Sequence, residues 1–370
     1  MPEINGFNEI SQEDKDRLSF TGINTKSMEG RAGSFFMVND HVMHAGSSTE
    51  GVEILMIDKA LEKYEWLKDF FWNAVPKDKD EYTKYVAEHP QKGYVIIAHK
   101  GSKTTFPIQS CLFLQGNLIQ TVHNIIIAEE GSEIHLISGC ASSTKTKEGA
   151  HYGINEIYVG KDAKVTSTMI HTWSEGIEVF PHTASIILDG GLFLSNYVCM
   201  KPTKQIQMSP TAYLKGEGAI ARFSSVIVAG PDSFVNAGSR AILQAPNTSA
   251  ELVTRAITNG GTIISRGAVV AEVPKTKGHI ECRGLILKDG IMQAIPEIEG
   301  HVIDVELSHE AAVGKIARDE IEYLMARGLS EDEATATIIR GFLDVKIEGL
   351  PPALQQQIDA AIDAADGNGY

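Results

Sequence analysis

The sequence predicts a mainly β fold, a parallel β-helix held between helical ends, on three observations. From about residue 97 to 305, short runs rich in Val, Ile, Leu and Thr replace the helical periodicity of the first 96 residues. Turn-forming clusters punctuate those runs at a steady beat, centred on Gly101, Gly116, Gly131, Lys145, Lys161, Glu175, Gly190 and onward to Gly260, Lys275 and Asp289, so that one step takes about 14 or 15 residues with few exceptions. Two-residue hairpin signals are scarce between them, which disfavours the alternative, an antiparallel meander. The beat is too short for a βαβ unit or a propeller blade. It predicts a coil of about 14–15 residues holding two short strands and two turns, some 13 or 14 coils making a rod about 65 Å long.

The elements follow in order. Residues 1–96 form a mixed region with a helix over Lys59–Trp72, whose Leu61, Tyr64, Leu67, Phe71 and Trp72 make one core-facing stripe. A second helix covers Glu81–Glu88. Residues 97–305 form the solenoid, and Ile134, Leu136, Val165 and Leu252 point inward as a buried parallel sheet requires. Residues 306–370 form a C-terminal helical region beginning near Ser308. Gly328 caps its first helix, Ser330 and Glu333 form a capping box on a second through Ala334, Ile338, Ile339 and Phe342, and Pro352 opens a third over Ala353–Ala365.

Composition narrows the function. The 370 residues carry 33 Lys+Arg against 48 Asp+Glu, a net charge of −15, which argues against a nucleic-acid or anionic-membrane binder. No apolar run is long enough for a membrane helix and the polar N-terminus is no signal peptide, so the expectation is a cytoplasmic protein. The four cysteines, Cys111, Cys140, Cys199 and Cys282, include no CxxC pair. Neither a disulfide framework nor a storage cluster of four thiolates is expected. Phosphate-loop, dinucleotide, nucleophile-elbow and HExxH motifs are absent.

Two constellations could carry chemistry. Cys282 is followed by Ser308, His309 and Glu310, thiol, imidazole and carboxylate being metal-ligand types. On the predicted coil this separation is two turns; a helix-cap pair is the plainer reading of His309 and Glu310. Cys140, His151, His171 and Trp173 form the second group, at spacings that do not fit one coil. His123, His135 and Cys199 read as structural.

At these residues the chain resembles the SufB/SufD family of iron–sulfur cluster assembly scaffolds, closer to SufB. The likeness runs through His279-Ile-Glu-Cys-Arg-Gly-Leu-Ile-Leu287, Ile295-Pro-Glu-Ile-Glu299 and Val305-Glu-Leu-Ser-His-Glu-Ala-Ala-Val-Gly-Lys-Ile316. It continues through Asp319-Glu-Ile-Glu-Tyr-Leu-Met-Ala-Arg-Gly-Leu329 and Ala334-Thr-Ala-Thr-Ile-Ile-Arg-Gly-Phe-Leu343, and reaches back to about residue 120. The resemblance implies a right-handed parallel β-helix that pairs with itself or in a SufB–SufD-type heterodimer. It implies a transient iron–sulfur cluster, [4Fe–4S] in type, on Cys282, Glu310 and His309. Cys140 would accept sulfur, with His151, His171 and Trp173 along its route; His171 replaces a Gln found at that point in bacterial members. The C-terminal helices, at Glu320, Tyr323, Leu324, Arg327, Ile338, Arg340 and Phe342, would dock a SufC-like ABC ATPase that alone binds ATP and Mg. The chain itself would be no enzyme. The alternatives are a SufD-like subunit that docks the ATPase without a cluster and, remotely, a β-helix carbohydrate-active enzyme.

Overall fold

The chain is described by a computed structural model covering residues 10–343, apart from 26 and 28. Two ten-stranded sheets face each other, and from Ile108 onward the strands alternate between them, except that Gln205–Met208 and Thr211–Leu214 share one sheet. Ile108–Leu114, Glu133–Ser142 and Lys164–Thr172 stack in parallel in one sheet. The intervening Ile119–Ala128, Gly149–Val159 and Ile177–Ile187 stack in the other. This is the predicted parallel β-solenoid with helices at both ends.

The coil is longer than the beat suggested. Ile108 registers on Leu136, Glu133 on Lys164 and Lys164 on Leu192, each step close to twice the expected one. The beat in the sequence is therefore half a coil, and the solenoid has about 8 turns rather than 13 or 14. The reason is strand length. Strands such as Glu133–Ser142 and Thr276–Leu287 run to 10 and 12 residues, so one strand and its turn consume a whole beat. At ~4.8 Å per turn the rod is about 38 Å long.

One corner of every coil is built alike. Gly101, Gly131, Asp162, Gly190, Gly218, Asn247, Lys275 and Asp304 are all left-handed, with φ between 53° and 71°. The N–H of Gly131 donates to Lys161 O, that of Asp162 to Asp189 O and that of Gly190 to Glu217 O, at 2.8–2.9 Å. The corners thus form a hydrogen-bonded ladder along the rod. Glycine takes this conformation without a Cβ penalty, and Asp and Asn tolerate it best among the rest. Between the sheets Ile134, Leu136, Val165 and Leu252 are buried, as the alternation predicted.

The first residues close one end of the rod. Helix α1 (Gln12–Ser19), capped by Ser11, lies beside strand Glu133–Ser142. Gly33–Val38 and Val52–Met56 extend the two sheets, each in an antiparallel pair, with His41–Ser47 and Tyr94–Ala98. The helix expected over Lys59–Trp72 is broken. Helix α2 (Ile57–Lys63) ends at extended Tyr64, a single 3₁₀ turn follows, and Trp72 is left-handed at φ 57°. A buried carboxylate holds the far end of this segment out of a helix. Glu156 accepts from the backbone N–H groups of Trp72, Ala74 and Val75 at 2.7, 2.6 and 3.1 Å and lies 2.7 Å from His123 Nε2. A continued helix would bond those N–H groups to its own carbonyls and leave Glu156 unsatisfied. The aromatic stripe still faces a core, Phe71 stacking on His123 at 4.8 Å. Helix α3 spans Glu81–Glu88 as predicted, capped by Asp80.

At the other end Ser308, His309 and Glu310 lie on the last strand, Val305–Gly314, and not at a helix start. This corrects the reading of that segment: the alternation of Val305, Leu307 and His309 completes the sheet before any helix begins. Helices α4 (Arg318–Met325) and α5 (Glu331–Leu343) follow, with Gly328 left-handed between them and Ser330 and Glu333 capping reciprocally. The helix expected over 353–365 lies outside the described residues.

Candidate functional site

The terminal coil consists of strands Ile291–Gly300 and Val305–Gly314, and neither contains a buried residue. Cys282 sits one strand inward, on Thr276–Leu287, and registers on Ala311. The step from Cys282 to the His309–Glu310 pair is therefore one coil and not two. Cys282 is 1% exposed, packed in the core between the sheets, and Ser265 Oγ donates to its Sγ at 3.6 Å. Burial pushes its thiol up from its ordinary value, so the resting group is S–H.

The pleat separates the three expected ligands. His309 registers on buried Ile280 and shares inner-face parity with Cys282, whereas Glu310 registers on Glu281, on the outer face. There Glu310 closes a row of charges. Arg255 pairs with Glu281 at 2.6 Å, Arg283 with Glu281 at 2.8 Å, and Arg283 with Glu310 at 3.1 Å. His279, beside them, meets Ser308 Oγ at 2.9 Å. Among the described residues no three His, Cys, Asp or Glu side chains gather closely enough to hold a metal ion. One chain supplies a thiol and an imidazole on one face of the coil and a carboxylate on the other.

The second constellation does come together, deep in the rod. Cys140 registers on His171, and His171 registers on Cys199, a column on the inner face of three successive coils. His151 enters from the opposite sheet, its Nδ1–H donating to Gln120 Oε1 at 2.8 Å. Trp173 bridges the two imidazoles, with ring centroids 5.1 Å from His151 and 5.5 Å from His171. Tyr197 Oη lies 3.0 Å from His171 Nδ1. All are buried. Desolvation pushes both Cys140 and Cys199 up to about 12 and His151 down to about 4, and lowers His171 in the same direction. At neutral pH the cluster holds thiols and neutral imidazoles, so nucleophilic chemistry by Cys140 requires a base or an opening of the coil.

Cys199, Tyr197 and Gln120 are the members that sequence reasoning missed. Their signal is the coil step: Cys140 to His171 and His171 to Cys199 are each one full turn of the solenoid. A coil taken at half its true length hid this.

The helices expected to dock a partner divide by exposure. On α5, Ala334, Ile339 and Leu343 are buried, and Phe342 packs on an outer-face patch that includes Ile137, Ile170, Val198 and Ile257. Ile338 is half-buried and Arg340 exposed. Helix α4 buries no residue; Glu320, Tyr323 and Arg327 are exposed, Leu324 half-buried, and Arg327 donates to Tyr323 Oη at 2.8 Å. No helix among the described residues is long and apolar enough to cross a membrane.

Comparison with known proteins agrees with this architecture. Residues 112–342 match the family described as SUF system FeS cluster assembly, SufBD core domain. An iron–sulfur cluster assembly SufBD family protein of Archaeoglobus fulgidus is 46% identical over 97% of this chain and 99% of its own length. One of Pyrococcus horikoshii is 30% identical over 100% of this chain and 86% of its own, and one of Staphylococcus aureus 31% identical over 93% and 76%. A solenoid of about 8 turns with an open terminal coil, matched along its core and nearly end to end, places the chain in the SufBD family of iron–sulfur cluster assembly proteins.

Proposed function

We propose that this chain is a non-catalytic scaffold that holds a transient iron–sulfur cluster at a junction between two chains and works with an ABC-type ATPase in the reducing cytoplasm. The observation that carries the reading is the terminal coil. Its strands are uncovered, Ile291 and Ile303 are 62% and 89% exposed, and Cys282 lies one strand behind them. A second copy, or a SufD-like partner, packed on this coil would cover that apolar surface. It would also add its own ligands to a set that one chain leaves incomplete. Cys282 supplies the soft thiolate, once deprotonated, while His309 and Glu310 supply harder, exchangeable ligands. That mixture suits a [4Fe–4S] cargo that must later be surrendered.

The remaining roles follow from the same reading. The buried Cys140, His151, His171 and Trp173 are the proposed sulfur-accepting interior. The exposed Tyr323 and Arg327 face of α4, with Glu320, Leu324, Ile338, Arg340 and Phe342 nearby, is the proposed ATPase contact, and nucleotide and Mg belong to that partner.

The test is anaerobic co-expression with the ATPase, followed by iron and acid-labile sulfide analysis and a visible spectrum. Cys282→Ser should lose the cluster while dimer and ATPase binding persist. Equal loading of wild type and Cys282→Ser would overturn the assignment and favour an ATPase-docking subunit without a cluster.

A further inference from the structure

A pocket opens on the side of the rod where helix α1 crosses the end of strand Lys164–Thr172. It is lined by Arg17, Lys147 and Lys201, by Thr144 and Ser174, and on its floor by Trp173. In a chain of net charge −15, three cations at one concavity need a reason. Arg17 is fixed there by neutral partners, its Nε donating to Thr172 O at 3.0 Å and its Nη1 to Ser174 Oγ at 3.3 Å. Lys201 reaches over the Phe20 ring at 5.8 Å, and its ammonium is held below the usual range by desolvation and then by the Arg17 charge. Among the described residues none of the three cations forms an ion pair.

The carboxylates nearby form no ion pair with them. Asp14 accepts from Ser143 Oγ at 3.0 Å and from Thr144 N at 2.9 Å and favours the Arg17 charge only through space, an effect that desolvation outweighs. Glu13 acts on Arg17 only at a distance, and Glu175 is a single exposed carboxylate on the rim. Two lining residues also carry polar atoms without partners. Trp173 is 1% exposed and its Nε1–H is unbonded; Thr144 Oγ1 is likewise buried and unbonded. Orphaned buried donors are rare because each costs the desolvation of its group. Cations without ion pairs and two unbonded polar atoms at one concavity suit a small anion.

We propose that this pocket binds a small tetrahedral oxyanion. Arg17 and Lys201 supply the charge, Thr144 Oγ1 and Trp173 Nε1 the neutral hydrogen bonds, and Lys147 the rim. The site stands on its own residues and does not require the cluster reading. Its lining nevertheless includes the indole that contacts both imidazoles of the buried cysteine cluster, and His171 in turn registers on Cys140 and Cys199.

The experiment is calorimetric titration of the full-length protein with phosphate and with thiosulfate, at low chloride. Saturable one-site binding is expected for at least one probe. Preference for thiosulfate would mark a sulfur-bearing anion, and preference for phosphate a phosphate-bearing one. Lys201→Gln should weaken binding about ten-fold, and Arg17→Gln with Lys201→Gln should abolish it. Because Arg17 also ties α1 to the rod, Trp173→Phe is the complementary variant. It keeps an aromatic ring there while removing the N–H together with part of the indole, so affinity should fall several-fold while circular dichroism shows the fold retained and the urea midpoint reports the packing loss separately. Absence of saturable binding by either probe up to ~10 mM, or equal binding by wild type and Lys201→Gln, would overturn the proposal.

Discussion

The middle and the end of the solenoid hold the same residue types in opposite states. In the middle, Cys140, His171 and Cys199 stack on the inner face with Trp173 and Tyr197 packed around them, and none is more than 4% exposed. At the end, Cys282 is just as little exposed, but the strand beyond it has no buried residue and no further coil follows among the described residues. A coil in the middle is satisfied on both sides by its neighbours, as every repeat of a solenoid is. The last coil has one satisfied side. Solvent exposure alone therefore does not distinguish the two cysteine sites. What separates them is the cost of exposing the thiol, high where neighbours close the coil and low where one exposed edge strand covers it.

The largest effect expected from this contrast is on stability. Trp173→Ala should cost about 3–5 kcal/mol, because a large side chain is removed from a closed core that cannot collapse around the cavity. Ile303→Ala, at a side chain 89% exposed, should stay within about 0.5 kcal/mol. Urea unfolding followed by circular dichroism reads both, and similar midpoints for the two variants would erase the distinction.

Next in size is a pH effect confined to the middle. His151 has its folded pKa depressed to about 4 from 6.5, so its contribution is present above pH 6.5 and is lost as pH falls through about 4. The unfolded chain takes up the proton first, and stability should drop by about 3 kcal/mol across that window. His171, lowered by the same desolvation and by His151, adds to the loss in the same direction. His151→Gln should flatten the profile between pH 6.5 and 4, and an unchanged slope would show that the histidine is hydrated.

How far this was legible in the sequence differs between the two regions for a physical reason. The solenoid itself was legible because inward Val, Ile and Leu and corner Gly and Asp recur at fixed steps. The coil length was not, since a strand plus a turn repeats at half the period and nothing in composition says which of the two sheets it joins. That error hid the column from Cys140 through His171 to Cys199 and placed Glu310 two coils from Cys282 rather than one. The helix expected through Trp72 failed at its far end because Glu156, far along the chain, takes the backbone N–H of Trp72 and those of Ala74 and Val75 just past it. Pairings at that distance leave no local mark. The terminal strand at Val305–Gly314 reads as a helix start only while its alternation is ignored.

A third way to sharpen the contrast uses the thiols directly. Native alkylation with iodoacetamide, resolved by peptide mass spectrometry, should modify Cys282 more than about ten-fold faster than Cys140 or Cys199. A difference of ~1.4 kcal/mol in opening free energy suffices for that ratio. Equal rates would mean that the end of the rod is as closed as its middle, and would remove the physical basis for loading a cluster there.

The smallest stability effect belongs to the residue whose functional effect should be clearest. Glu310 is half-exposed and its partner Arg283 bridges it to Glu281 along the outer face. An exposed pair of this kind contributes about 0–1 kcal/mol, so Glu310→Gln should leave the urea midpoint nearly unchanged. If the carboxylate ligates cluster iron, the same substitution should speed cluster loss to a chelator at least about ten-fold, since the amide replaces an anionic ligand with a neutral one. Arg283→Gln makes the comparison decisive. It dismantles the same row of charges and has the same small effect on stability, but it leaves the Glu310 carboxylate in place and frees it to turn. A ligand role predicts that the cluster of Arg283→Gln is retained as in wild type; a purely structural role for the row predicts that both variants lose it alike. Because Glu310 and Cys282 leave opposite faces of one sheet, a positive result would further require that the Glu310 serving a given Cys282 comes from the neighbouring chain or that the last strand turns over on loading. Mixed dimers carrying Cys282→Ser on one chain and Glu310→Gln on the other separate these two routes.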